Sequence, residues 1–299
     1  MSEIRFASFA SSNMNAALMR IRGEAEASHF FTSIHTYTEK DFDKDYWQKY
    51  KDRFLQNKKG YGYYMWKPYI VKRELESLAD GDILVYLDAG CTINARARKR
   101  FDEYIELARQ TACGVVAFEQ KGLPDRQWCK ADLLQYAGAL SDPAITETPQ
   151  FWAGGHITRK CALSVEFVGK WYELCHEHFN LITDEPSILP NLAGFRENRH
   201  DQSAFSVLLK PYKPCIVDAG ETCTAGFYSL TLANKPIWAT RKRTYTDSPA
   251  VTMTTRDKLR LFFRKLMYYP RVQLSRLVHP RRTAHNALKR LGKHFGRGS

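Results

Sequence analysis

Five consecutive apolar residues, Ile83-Leu84-Val85-Tyr86-Leu87, stand between Gly81-Asp82 and Asp88-Ala89-Gly90. A short apolar run closed at both ends by turn-forming residues reads as a strand covered on both faces. Such a strand needs helices above and below it, which restricts the chain to a layered α/β sheet. Ligands of these sheets gather beyond the carboxyl ends of the strands, where Asp88 stands. A carboxylate there is aimed into the crevice, although Asp-x-Gly is also ordinary turn chemistry.

The flanking sequence supplies the remaining layers. Ile4–Phe9, residues 30–38, 114–118 and 216–217 read as strands, and residues 15–27, 45–57, 69–78, 98–110, 130–136, 163–178 and 201–209 as helices. Pro68 suits the first turn of the helix that follows it. The predicted architecture is a single α/β domain over residues 1–250 with a central, mostly parallel sheet, followed by a basic helical tail over 251–299. The seven cysteines are scattered, with no C-x-x-C spacing, and read as reduced structural thiols.

The charge is concentrated in the tail. Of a net +13, residues 256–299 hold +12, from thirteen Lys and Arg against one acid, so the body is almost neutral. Leu259, Phe262, Phe263 and Leu266 share one helical face, as do Ala284, Leu288, Leu291 and Phe295. Basic amphipathic helices of this kind suit an anionic membrane surface. The plainer alternative is packing on the body with solvated charges. A neutral body and a tail without a recognisable module argue against nucleic acid as a partner. No apolar stretch approaches the ~18 residues of a membrane span, and the first residues lack the apolar block of a secretory signal. The expected location is cytoplasmic, peripheral at the inner face of the membrane.

Three further segments carry candidate chemistry. Residues 60–70, GYGYYMWKPYI, combine aromatics that can stack on a base or sugar with glycines and one lysine suited to a phosphate. Core packing is the plainer reading for Tyr64 and Met65. In Phe151-Trp152-Ala153-Gly154-Gly155-His156, two glycines allow backbone to approach a ligand. In Arg199-His200-Asp201-Gln202-Ser203, Asp201 either caps a helix or faces the same crevice as Asp88. His176 and His178, two apart on a helix, cannot share a face.

Taken in order, the N-terminal strand and helix, GYGYYMWKPYI, LVYLDAGC, FWAGGHITRK and RHDQSAFSVLL resemble the GT-A-type nucleotide-sugar glycosyltransferases, above all bacterial enzymes of capsule and lipopolysaccharide synthesis. The resemblance covers residues 4–218. It implies hexosyltransferase-like transfer from a UDP-linked donor to a surface glycan on a lipid carrier; the alternative is a catalytically inactive fold kept for binding or assembly. By the same resemblance, Tyr61, Tyr63, Trp66, Lys67, Asp88, Ala89 and Gly90 bind the donor, and Trp152, Gly154, Gly155 and His156 line the sugar and acceptor pocket. Asp201 and Asp88 are the catalytic candidates, Asp201 as acceptor base ahead of Glu185 and Glu197. In such enzymes a D-x-D motif holds Mn²⁺ or Mg²⁺. Here the second position is Gly90, so either His200, Asp201 or Asp218 completes the site with Asp88, or Lys67 and Arg199 replace the metal.

Overall fold

The computed structural model describes residues 2–224 and 228–243. Seven strands form the main sheet: β1 (Ile4–Phe9), β2 (Ser33–Tyr37), β3 (Ile83–Leu87), β5 (Val115–Pro124), β6 (Pro149–Phe151), β7 (Gly155–Arg159) and β8 (Cys215–Asp218). Their order is β2-β1-β3-β7-β5-β6, with β8 also beside β5. The pairs β1/β2, β1/β3 and β5/β8 are parallel, and β7 and β6 run against their neighbours. Five strands therefore share one direction. A second, two-stranded sheet joins β4 (Thr92–Ile93) to β9 (Ile237–Trp238).

The six longer helices are α1 (Asn15–Ser28), α2 (Lys44–Gln56), α3 (Trp66–Ser77), α4 (Arg98–Gln110), α5 (Ala162–Glu177) and α6 (Asp201–Leu209). Strand alternation sorts them onto two faces. Ile83, Val85 and Leu87 pack with Ile21 of α1 and Phe101 of α4. Leu84 and Tyr86 pack with Phe54 of α2, Ile70 of α3, Trp171 of α5 and Phe205 of α6. Every residue of β3 is wholly buried, and each such aliphatic side chain contributes roughly 2 kcal/mol to folding.

The expected bounds of β1, β3, α4 and α6 agree with the structure. β2 begins later than expected because Phe30 belongs to the helical layer, its ring stacked 4.4 Å from Phe101. β5 runs further, to Pro124, because its second half pairs with β6. α3 begins at Trp66, so Pro68 lies inside its first turn. None of the seven cysteines, all of them among the described residues, is in a disulfide. Among the described residues no helix is long and apolar enough to cross a membrane. The amphipathic helices expected in residues 256–299 lie outside the described residues.

Candidate functional site

Tyr86 and Asp88 are two residues apart and so point to the same side of the sheet, the side of α3 and α6. There three charged groups from distant parts of the chain meet. Lys67 Nζ, from the first turn of α3, lies 3.2 Å from Asp88 Oδ1 and 2.8 Å from Oδ2 of Asp201, the first residue of α6. The Tyr86 hydroxyl donates to Asp88 Oδ1 at 3.0 Å. The lysine and Asp201 side chains are 3% and 5% exposed, whereas that of Asp88 is 37% exposed. One cation thus holds two carboxylates, of which only Asp88 is open.

Burial alone would drive the proton from Lys67, but the charges of Asp201 and Asp88 outweigh it and raise the ammonium above the usual lysine range. Burial pushes the Asp201 carboxyl up to about 6, against the pull of Lys67. The cluster joins one ammonium to two carboxyl groups.

An unusual turn delivers Lys67. Gly60, Tyr61, Gly62, Tyr63 and Tyr64 all have positive φ, from 50° to 78°. For the three tyrosines this left-handed backbone costs roughly 1 kcal/mol each, and strain of this kind concentrates at functional sites. A hydrogen bond from Trp66 Nε1 to Gly60 O, at 3.0 Å, closes the turn. Tyr64 emerges with its ring centroid 5.3 Å from the Lys67 ammonium. Burial, and then the charge of Asp201, raise its phenol pKa.

The Asp88 loop is clamped from below. Arg20 of α1, wholly buried, donates from Nη2 to the carbonyls of Ala89 and Cys91 at 2.7 Å each, and from Nη1 to Glu24 at 2.7 Å. Gly154 O accepts from Asp88 N at 2.8 Å. A Cβ on residue 154 would lie 2.4 Å from Trp152 Nε1 and 2.8 Å from Asp88 Oδ2; one on residue 155 would lie 2.7 Å from the Trp152 ring and 2.9 Å from Leu87. Both glycines are needed for the indole to lie along the backbone beside Asp88.

The structure therefore gathers Lys67, Asp88, Asp201, Trp152 and Gly154; Tyr64 packs against the core as expected and also turns its ring toward Lys67. Other residues expected here are placed elsewhere. His156 is buried, its ring 5.5 Å from Tyr86 and 5.3 Å from Phe205. Burial and then the Lys67 charge push its pKa down to about 3, so it is a neutral core residue and not a pocket wall. Trp66 is buried against Phe9 at 4.1 Å, and Tyr61 stacks on Phe54 at 5.1 Å, both serving the core of the aromatic segment. The Tyr63 hydroxyl donates to Asp184 at 3.2 Å. Ala89 is buried in the core on the α1 side, and its carbonyl accepts from Arg20. Glu185 and Glu197 are exposed loop residues.

His200 does not join Asp88. Its Nδ1 is 2.7 Å from Ile182 O and its Nε2 lies 3.7 Å from Asp184. Asp218 pairs with Lys121 at 2.6 Å. Among the described residues, no three His, Cys, Asp or Glu side chains are arranged to hold a metal ion. The point between Asp88 and Asp201 is taken by the Lys67 ammonium, and Gly90 offers no side-chain oxygen. These donors do not fit Mn²⁺ or Mg²⁺, which require several oxygen ligands around one centre.

No protein-family model matches the sequence, and no curated protein matches it. Among solved structures, the chain is similar to a glycosyltransferase involved in the glycosylation of the major capsid of PBCV-1, at 12% identity and TM-score 0.42, over 79% of this chain and 91% of that one. It is also similar to the galactosyltransferase LgtC with donor and acceptor sugar analogues (15%, 0.38, 78% and 86%) and to apo mouse xyloside xylosyltransferase 1 (9%, 0.39, 83% and 99%).

Proposed function

We propose that the protein is a glycosyltransferase that moves a sugar from a UDP-linked donor to a growing surface glycan on a lipid carrier. The observation that supports this most is the half-exposed Asp88 carboxylate at the end of β3, fixed by Lys67 and Tyr86 beside the Trp152 indole. A carboxylate locked in one orientation next to an aromatic face suits sugar hydroxyls, which stack and accept or donate hydrogen bonds at fixed angles.

Transfer forms a bond from the acceptor oxygen to the anomeric carbon and breaks the bond from that carbon to the diphosphate. The acceptor proton passes to a carboxylate and UDP leaves with the electron pair. Asp88, the open carboxylate, is the residue assigned to meet the substrate. Asp201, enclosed behind Lys67, holds the ammonium and through it positions Asp88. The basic segment 256–299 would keep the enzyme at an anionic membrane surface, where a lipid-linked acceptor lies.

The test is UDP release from a panel of UDP-sugars offered with lipid-linked and soluble glycan acceptors. Release with any donor supports transfer, and none with every donor, with or without Mn²⁺, refutes it. Gly90 favours a second reading, a binding protein that retains the fold without turnover; donor binding with no UDP release would select it. Removing residues 256–299 should reduce binding to anionic vesicles while sparing transfer to a soluble acceptor.

A further inference from the structure

The glycosyl-transfer reading, on which this inference rests, needs Lys67 and Asp201 held in register, yet they come from segments remote in sequence. Lys67 follows the left-handed turn of residues 60–64, and Asp201 follows His200, whose backbone is itself left-handed at φ 55°. Strained backbone of this kind persists only where surrounding contacts over-determine it. Each segment therefore needs a partner outside itself.

Asp184 partners both. It lies in the loop after the short helical turn Phe179–Ile182, with its side chain 50% exposed. Lys59 Nζ, just before the left-handed turn, lies 3.0 Å from both of its carboxylate oxygens, and the Tyr63 hydroxyl donates to Oδ2 at 3.2 Å. On the other side, Oδ1 faces His200 Nε2 at 3.7 Å. His200 Nδ1 is 2.7 Å from Ile182 O, which fixes the imidazole against the same loop. The Tyr63 ring fills the space between, 4.9 Å from His200 and 6.1 Å from Phe179. Tyr64, next in the turn, has its ring 6.3 Å from His200 and 5.3 Å from the Lys67 ammonium. Among the described residues, Lys59–Asp184 is the only ion pair between residues 57–67 and 179–201 besides Lys67–Asp201 itself.

We propose that Asp184 is a positioning residue: by binding Lys59 and Tyr63 of the turn and facing His200, it fixes Lys67 against Asp201 and so orients the open Asp88 carboxylate. Lys67 Nζ is the shared partner of both carboxylates, so a shift of the turn moves the point on which Asp88 is held. Misplacement of a reacting group by a fraction of an ångström is costly in rate. A matching arrangement elsewhere supplies the control. Glu177 accepts from Lys49 at 3.0 Å and from the Tyr50 hydroxyl at 2.8 Å, joining α2 to α5, and its members adjoin neither Lys67 nor Asp201 in sequence.

Turnover and carboxyl titration of the full chain test this together. Asp184→Ala should lower kcat about tenfold while changing KM by less than about twofold, the pattern of a group that acts on the reacting centre and not on binding. Lys59→Met and Tyr63→Phe should each lower kcat about threefold, and adding Lys59→Met to Asp184→Ala should cost nothing further. In carbon-13 NMR of the carboxyl groups, the Asp201 titration near pH 6 should move to higher pH in Asp184→Ala, its proton affinity rising about threefold as Lys67 is held less closely. Glu177→Ala should leave both kcat and that titration unchanged, whereas a merely structural role would make the two variants alike. A kcat or an Asp201 titration that stays in place in Asp184→Ala overturns the positioning role. UDP release by no form of the protein, the unaltered chain included, overturns the glycosyl-transfer reading, and the titration then decides the positioning role by itself.

Discussion

Two buried lysines in this molecule grip aspartates, and they differ in a way that separates scaffold from site. Lys210 pairs with Asp125 and also donates to the carbonyls of Ile145 and Thr148 at 3.0 and 3.1 Å. Asp125, fully buried, accepts further from Ser206 Oγ at 2.9 Å and from Cys129 Sγ at 3.3 Å. One charge meets one charge, and the remaining lone pairs are engaged. Lys67 instead faces two carboxylates, one enclosed and one open. A buried ion pair alone says little about function. Two carboxylates on one ammonium, one of them exposed, are what make the second cluster the candidate for a ligand site.

The largest expected contrast is between Asp88→Asn and Lys210→Met. The first should lower turnover by roughly a thousandfold, in the range of removing one electrostatic group from a reacting centre, with little change in melting temperature. The second should cost about 3–5 kcal/mol, because it leaves a buried carboxylate alone, yet spare the UDP affinity of the protein that remains folded. Denaturant melts and UDP-release assays on the two variants read this directly. Equal loss of stability in both would erase the distinction.

Gly154→Ala should fall between them. Its new methyl meets both Trp152 and Asp88, and displacing the carboxylate by a fraction of an ångström should reduce turnover by roughly a hundredfold, with about 1–3 kcal/mol of overpacking in the melt. Retained activity would mean that the Trp152 position is not used.

Acidification gives a smaller, graded effect. With the Asp201 carboxyl pushed up to about 6, its charge, and with it the grip on Lys67, is present above that value and lost as pH falls through it. Donor affinity should show an acid limb near pH 6 that Asp201→Asn removes. The linkage to stability has the opposite sign: a carboxyl whose pKa is raised on folding contributes most below its unfolded value and loses that contribution as pH rises through about 6. Activity falling together with stability between pH 7 and 5 would therefore point to some other group. The smallest change expected is from Tyr64→Leu, which removes a cation–π contact with Lys67 worth about 0.5–1 kcal/mol. It should weaken donor binding by less than tenfold in the same titration.

How much was legible beforehand follows from the range of the forces involved. The apolar run of β3 and the turn after it are local features, so the sheet, its two covered faces and the exposed end at Asp88 could be read from neighbouring residues. The aromatic segment misled because composition does not say which rings face inward. Its left-handed turn sends Trp66 into the core and leaves Tyr61 and Tyr64 half-buried against it, with Tyr64 also facing Lys67. Lys67 looked like a phosphate ligand because its two carboxylate partners lie far along the chain. Arg20 was missed, although its spacing of four from Glu24 on a helix whose Leu18, Ile21 and Ala25 face inward was a usable signal. The approach of Arg241 to the Asp88 loop had no such signal, since it is made by backbone packing on Gly90.

By itself, then, the sequence determined a layered α/β body with an aspartate at the mouth of its sheet, and a segregation of nearly all the net charge into residues 256–299. Those properties depend on hydrophobic periodicity and on counting. Only the tertiary structure decided that an ammonium stands between Asp88 and Asp201, and that Asp88 is the open carboxylate. Coulomb interactions and desolvation act through space between segments remote in sequence, and their balance is defined only once burial is known.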